Sequence, residues 1–264
     1  MNSPINKSTD QLISYTLHLA DSNLILTQKN GEWCGHGPIL EQDIAITNIT
    51  LDLIGQSRNF YQYASQLINQ SADQPINIVT EDSLAYMRKE REFKNLLLTE
   101  QPNGDWAQTI TRQFFYCNFQ YLLYEKMQQS SNEQLAGIAA KAIKEVAYHV
   151  NWSNEWILRL GDGTDESKKR MQKAITELWP YTGEMFVNAD YETALLKENI
   201  SVDVSELKDA WLKKVNEIFE EAGLSLPEKS FMQSGGKNGV HTEQLGYILT
   251  ELQYLQRTYP GAEW

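Results

Sequence analysis

The chain has 264 residues, 41% of them hydrophobic and 22% charged, so a packed core is feasible and disorder is not the default. Gly and Pro are sparse, at 15 and 7, which favours long helices over a turn-rich β architecture. The net charge of -12 and the pI near 4.8 argue against nucleic acid and anionic membranes as partners.

Two cysteines, Cys34 and Cys117, have no zinc or disulfide-framework spacing and read as reduced thiols of a cytoplasmic protein. Met1 to Asp10 lacks the apolar stretch of a signal peptide, and no run approaches the ~18 apolar residues of a membrane span.

In chain order the pattern is helix after helix. Residues 11–27 carry Leu12, Tyr15, Leu17, Leu19 and Leu24 and read as an additional N-terminal helix. Residues 31–38, Gly-Glu-Trp-Cys-Gly-His-Gly-Pro, form an irregular loop. A long helix follows over about 38–67, with Gly55 inside it, and Asn69 to Ile78 is a polar linker holding Pro75. Asp82 reads as the N-cap of a helix over 83–99, and Asp105 caps one over 106–129. Another spans 134–160, stopped by Gly161-Asp162-Gly163, and Thr164 caps 165–178. Residues 181–202 read as partly helical and irregular. Asp203 and Glu206 open a helix over 205–222, 232–241 is a second glycine-rich loop, and 242–257 is a final helix. The reading is all-α: one ferritin-like domain over 1–264, with a four-helix core at about 38–160 and added N- and C-terminal helices.

Chemistry belongs where ionisable residues fall on an apolar stripe. In 134–160 the stripe is Ile138, Ala142, Glu145, His149, Trp152 and Trp156. In 38–67, Ala45, Ile49, Asp52 and Gln56 share a face; in 83–99, Ala85, Arg88, Glu92, Asn95 and Thr99 do. In 106–129 the shared face is Ile110, Phe114, Cys117, Tyr121 and Tyr124. A di-iron bundle needs a Glu from each of two helices and a Glu-x-x-His pair from each of the other two. Here Glu92-x-x-Asn95 has an amide where imidazole belongs, Glu145 and His149 stand four apart, 106–129 offers Cys117 and no inward carboxylate, and 38–67 offers Asp52, so the set is incomplete. The residues Asp52, Glu92, Asn95, Cys117, Glu145 and His149 thus form a degenerate di-iron-like cluster, with no metal expected. The alternative is a buried polar network in which Arg88 pairs with Glu92, or His149 with Asp52. The aromatics Trp152, Trp156, Tyr121 and Tyr124 read as core. Both glycine-rich loops read as tight interface loops, since neither matches a phosphate-binding fingerprint.

Several strings resemble one family. They are Trp33-Cys34-Gly35-His36-Gly37-Pro38, Leu51-Asp52-Leu53-Ile54-Gly55-Gln56-Ser57-Arg58, Glu90-Arg91-Glu92-Phe93-Lys94-Asn95-Leu96-Leu97 and Glu100-Gln101-Pro102-Asn103-Gly104-Asp105. The resemblance continues through Ala139 to Val146, Leu158 to Thr164 and His241 to Tyr247, in order over nearly the whole chain. It is to the C subunits of multicomponent phenylacetyl-CoA epoxidases. It implies a ferritin-like fold and a complex that makes the ring-1,2-epoxide of phenylacetyl-CoA with O₂. It also implies a catalytic A subunit of the same fold that holds the di-iron centre. A reductase subunit, with NADPH, flavin and an iron–sulfur cluster, supplies the electrons. This chain, with no catalytic or cofactor-binding residue of its own, is then a structural partner of the A subunit. Contact with phenylacetyl-CoA is expected only as an indirect one, and the residues leave open whether the loops 31–38 and 232–241 touch the CoA. The competing readings are an autonomous di-iron oxygenase using Asp52, Glu92, Glu145 and His149, and a non-enzymatic acyl-CoA-binding module. A scaffold predicts a broad helical interface, above about 1,600 Å², with Trp and Tyr anchors; the last helix and the tail 259–264 are candidates.

Overall fold

The computed structural model describes residues 4–71 and 78–262, with side chains from residue 7 onward. Glu263 and Trp264 of the tail, and Pro75 with most of the polar linker, lie outside them. The described residues contain helices and turns and no strand.

Four long helices form the bundle: α1 (Pro4–Gly31), α2 (Leu40–Ser71), α4 (Trp106–Met127) and α5 (Glu133–Gly161), with a short α3 (Glu81–Tyr86) between α2 and α4. Their side-chain pairs fix the directions. Ser57 of α2 donates to the Ala20 carbonyl of α1, while the far end of α1, Gly31, lies beside Thr50, so the two helices run antiparallel. Asn23 meets Gln120, and Asn30 meets Gln113, so α1 and α4 are antiparallel too. The pairs Gln56–Glu145 and Asp52–His149 set α5 antiparallel to α2. It follows that α2 and α4 run parallel on one diagonal, which demands a long crossover, residues 72–105. One such crossover is the ferritin-like connection.

This corrects two expectations. The helix over 11–27 is no appendage: it extends over Pro4–Gly31 and is one of the four bundle helices. The helix over 83–99 does not form; α3 ends at Tyr86, a single turn follows at Glu90–Glu92, 93–96 has no regular structure, and 97–100 is a turn. The reason lies in where its backbone bonds go. Lys94 N donates to Asp21 Oδ2 at 2.8 Å, Leu96 N to Ser22 Oγ at 3.2 Å and Leu97 N to Glu184 Oε2 at 3.0 Å. Asn95 to Gln101 are all buried, a contiguous run that no single helical face could bury. The cap of α3 is Thr80, whose hydroxyl accepts from Ser83 N, rather than Asp82.

The other caps stand where the sequence places them. Asp105 accepts from Gln108 N, Thr164 from Ser167 N, and Asp203 from Ser205 N. Helix α6 (Asp165–Leu178) packs on α4 and α5, and the irregular stretch after it contains two short turns and α7 (Asp190–Leu196), which lies against α1. Helix α8 (Lys208–Glu221) packs on α4 and α5. The last expected helix is two, α9 (Glu243–Leu252) and α10 (Tyr254–Thr258), broken at Gln253. Gly55 leaves α2 unbroken.

Candidate functional site

A ferritin-like bundle carries its chemistry at the centre, on side chains that four helices point inward. Here that centre is occupied by amides and phenols. Gln120 Nε2 of α4 donates to Asn23 Oδ1 of α1 at 2.8 Å and to Gln56 Oε1 of α2 at 3.0 Å. Tyr116 donates to Asn23 Oδ1 at 2.8 Å, and the Tyr124 hydroxyl accepts from Asn23 Nδ2 and lies 3.4 Å from Gln56 Oε1. Gln56 Nε2 then donates to Glu145 Oε2 of α5 at 2.9 Å. All four helices contribute, and Asn23, Gln56, Gln120, Tyr116 and Tyr124 are buried. Burial pushes the Tyr124 phenol up to about 12, against the pull of hydrogen bonds from Asn23 and Gln120, so it stays neutral.

One turn along, His149 Nε2 lies 3.0 Å from Asp52 Oδ2. The imidazole is fully buried, while Asp52 is one-third exposed at the rim. His149 Nδ1 is buried with no hydrogen-bond partner, so Nε2, at the Asp52 carboxylate, is the ring's one hydrogen-bonded nitrogen.

The six residues of the expected cluster therefore part company. Asp52, Glu145 and His149 share the seam between α2 and α5. Cys117 is buried beside Ser153 Oγ at 3.2 Å, and burial pushes its thiol up to about 12, which keeps it from serving as a thiolate. Glu92 and Asn95 lie on the crossover, away from the bundle centre. Glu92 is exposed and accepts from Lys89 N; Asn95 donates to Glu100 Oε2 at 2.8 Å. The pairing of His149 with Asp52 holds, whereas Arg88 takes Asp21 instead of Glu92, touching Glu92 only through its carbonyl. Among the described residues, no three His, Cys, Asp or Glu side chains converge as a metal-holding group. An Asn, two Gln and a pair of neutral phenols cannot offset the charge of two iron ions, so this donor set does not fit a di-iron centre.

Sequence reasoning missed Asn23 and Gln120, the two hubs. A signal was present for Gln120, an amide among Tyr116, Cys117, Leu123 and Tyr124, whereas Asn23 shares its face with Thr16, Thr27 and Asn30. Trp152 and Trp156 both donate to Gln42 Oε1, at 2.9 and 2.8 Å, and pack edge-on against Trp106, so they are core at one end of the bundle.

The two glycine-rich loops differ. In 31–38, Trp33 is anchored by Nε1–H to Thr109 Oγ1 and Gly35 N donates to Asp43, but Cys34 and His36 are exposed. The loop 232–241 is stapled inward: Glu184 accepts from Gly235 N at 2.7 Å, and Lys237 Nζ meets Glu192 Oε2 at 2.8 Å. A side chain at Gly236 would strike the Asn95 carbonyl, and Gly239, at φ +76°, turns against the Arg91 carbonyl.

Antiparallel helices, one long crossover and a polar row drawn from all four helices define a ferritin-like bundle protein. The chain belongs to the phenylacetic acid catabolic protein family, whose model matches residues 1–264. It is 48% identical over 255 residues to the C subunit of the 1,2-phenylacetyl-CoA epoxidase of Escherichia coli (strain K12), covering 97% of this chain and all of that protein. Among the described residues, no helix is long and apolar enough to cross a membrane.

Proposed function

We propose that this chain is the structural, non-catalytic C subunit of a cytoplasmic phenylacetyl-CoA epoxidase, and that it pairs with and stabilises the di-iron catalytic A subunit. In this reading the iron sits in that partner, and NADPH, flavin and the iron–sulfur cluster sit in the reductase. The observation that carries it is the bundle centre: Asn23, Gln56, Gln120 and Tyr124 hydrogen-bond one another where an oxygenase of this fold needs carboxylates. The likeness to a protein named as one subunit among several supports the heteromeric setting.

The test is the iron content of this chain purified alone after reconstitution in excess Fe(II). Near-zero iron with a folded helical spectrum is the expected result. About two irons per chain would overturn it in favour of an autonomous di-iron oxygenase. Tight binding of phenylacetyl-CoA by the isolated chain would favour an acyl-CoA-binding module instead. Deleting residues 259–264 should weaken co-purification of the catalytic partner, because Tyr259 is more than half exposed; unchanged recovery would remove the tail from the interface.

A further inference from the structure

Helices α4, α5 and α8 do not close on one another along their whole length. The buried side of α8, Trp211, Val215, Ile218 and Phe219, is pinned to α4: Trp211 Nε1 donates to the Phe115 carbonyl at 3.1 Å, and the Phe219 ring stacks on Phe114. Beside that contact a groove of about 560 Å³ remains, within the roughly 300–1,000 Å³ of small-molecule sites. Asn118, Tyr121 and Leu122 of α4 form its floor, and its walls include Val150 of α5 and Lys213 and Lys214 of α8. Ala147 of α5 and Ala210 of α8 also line it, and side chains this short leave the space between the two helices unfilled.

The lining is apolar on one side and rich in unused donors on the other. Leu122, Val150 and the two alanines supply the apolar part. Asn118 is buried and held still, its Nδ2 donating to the Phe114 carbonyl at 2.9 Å and to Asn154 Oδ1 at 3.2 Å. The half-buried Tyr121 hydroxyl and the ammonium groups of Lys213 and Lys214 have no hydrogen bond or ion pair among the described residues. Glu217 is the one carboxylate of the lining, so cations outnumber anions here by two to one, in a chain whose net charge is -12. This local reversal of sign concentrates anions at the groove.

These features select one kind of occupant. An inorganic anion would use the lysines and leave the apolar wall wet. A neutral apolar molecule would cover that wall and leave three donors without an acceptor, which costs affinity. A molecule with an apolar body and one anionic end satisfies both. The lysine stems lie along apolar surface while their ammonium groups stay in water, so the anion keeps part of its hydration at the mouth. Among the described residues no histidine, cysteine, serine or threonine lines the groove, so it is built to hold a ligand rather than to transform one.

We propose that the groove between α4, α5 and α8 binds a small carboxylic acid with an apolar body. The carboxylate meets Lys213, Lys214 and the Tyr121 hydroxyl, and the body lies against Leu122 and Val150. The site goes beyond the role of a structural subunit and does not depend on it, since it uses neither α2 nor the network of Asn23 and Gln120 at the bundle centre. Both lysines are exposed, so their attraction for the acid is screened by salt, and affinity should fall as ionic strength rises.

The test is titration calorimetry of the full chain with octanoate and hydrocinnamate, an alkyl and an aryl probe of this class. At least one should bind saturably, one molecule per chain, and the tighter of the two identifies the body. The alcohol of the same body should bind about tenfold more weakly or less. K213E/K214E should weaken the acid by about tenfold or more, and Y121F by a smaller factor. Ala210→Trp places an indole in the groove and should abolish binding. Lys213, Lys214 and Ala210 are exposed, so the helical spectrum and melting temperature of these variants should not move. Absence of saturable binding by either probe up to about 10 mM overturns the proposal. An alcohol that binds as tightly as its acid overturns it too, and so does binding that survives Ala210→Trp in a folded chain. None of these outcomes bears on iron content or on recovery of the catalytic partner, so the structural reading is tested separately.

Discussion

The two polar interiors of this molecule are built on opposite plans. At the bundle centre, Asn23, Gln56, Gln120, Tyr116 and Tyr124 are neutral, and one carboxylate, Glu145, touches their edge. On the flank, where the crossover and the loop 232–241 meet α1 and α7, the buried groups are ions. Asp21 pairs with Arg88, Glu192 with Lys237 and Glu100 with His241. The difference follows the backbone. Helices satisfy their own amides, so side chains at the bundle centre need only satisfy one another. The flank is irregular, and its amides need acceptors. Each buried carboxylate there takes at least one: Asp21 takes Lys94 N, Glu100 takes Thr242 N, Glu184 takes Leu97 N and Gly235 N, and Glu192 takes Ala189 N. Charge in this protein fastens non-helical chain.

The sharpest way to break the contrast is Arg88→Ala. It removes the cation ion-paired to Asp21, whose side chain is fully buried, and it also removes the guanidinium over the Phe93 ring. The expected cost is about 3–5 kcal/mol, the range for removing one partner of a buried ion pair. Denaturant unfolding measures it, and a loss below about 1 kcal/mol, the surface-pair range, would mean that the pair is wet.

Two histidines then give the flank opposite pH signatures. His18 is fully buried with Nδ1 at 2.7 Å from the Lys94 carbonyl, and burial, aided by Lys237, lowers it from 6.5 to about 4. Between those values the unfolded chain holds a proton that the folded chain does not, so stability rises with pH across that window. For His241, burial opposes the charge, but the hydrogen bond and charge of Glu100 and the Phe93 carbonyl outweigh it, and the value is raised above 6.5. Its contribution is complete below the ordinary value and is lost as pH rises through the folded one. The melting temperature should therefore peak between the two windows. His18→Gln should flatten the acid limb and His241→Gln the alkaline limb. A limb unchanged by its own substitution would assign that slope to another group.

How much of this was readable in the sequence divides along the same line. The α5 stripe lies largely as its periodicity places it, because a 3.6-residue pattern reports one helix against one core, whereas α4 is buried on nearly every face, so its expected stripe takes in the half-buried Tyr121 and passes over Gln120. Residues 83–99 contain good helix formers and no breaker, and local propensity reads them as a helix. The acceptors that override it, Asp21, Ser22 and Glu184, are about 75 to 90 residues away in sequence, beyond the reach of any local pattern. Glu100, Glu184 and His241 were invisible for the same reason. Asn23 and Gln120 failed differently. A search framed around carboxylate and imidazole ligands passes over amides, although a buried amide on an apolar stripe is itself a signal.

The smallest expected effect probes the border between the two plans. Asp52 is the one carboxylate that meets a buried histidine of the bundle, yet it is one-third exposed and fastens no irregular backbone. If the centre is truly organised around neutral groups, His149 needs only an acceptor at Nε2, and an amide oxygen serves. Asp52→Asn keeps that acceptor in nearly the same volume, so the loss should stay below about 1 kcal/mol, the range of a partly exposed pair. Stability near neutral pH should change little, because the variant removes a charge that water already screens. A loss as large as that of Arg88→Ala would place an imidazolium in the bundle. The centre would then hold a buried ion pair of the same kind as the flank, and the division between a neutral core and a charged fastening would fail at its most exposed member.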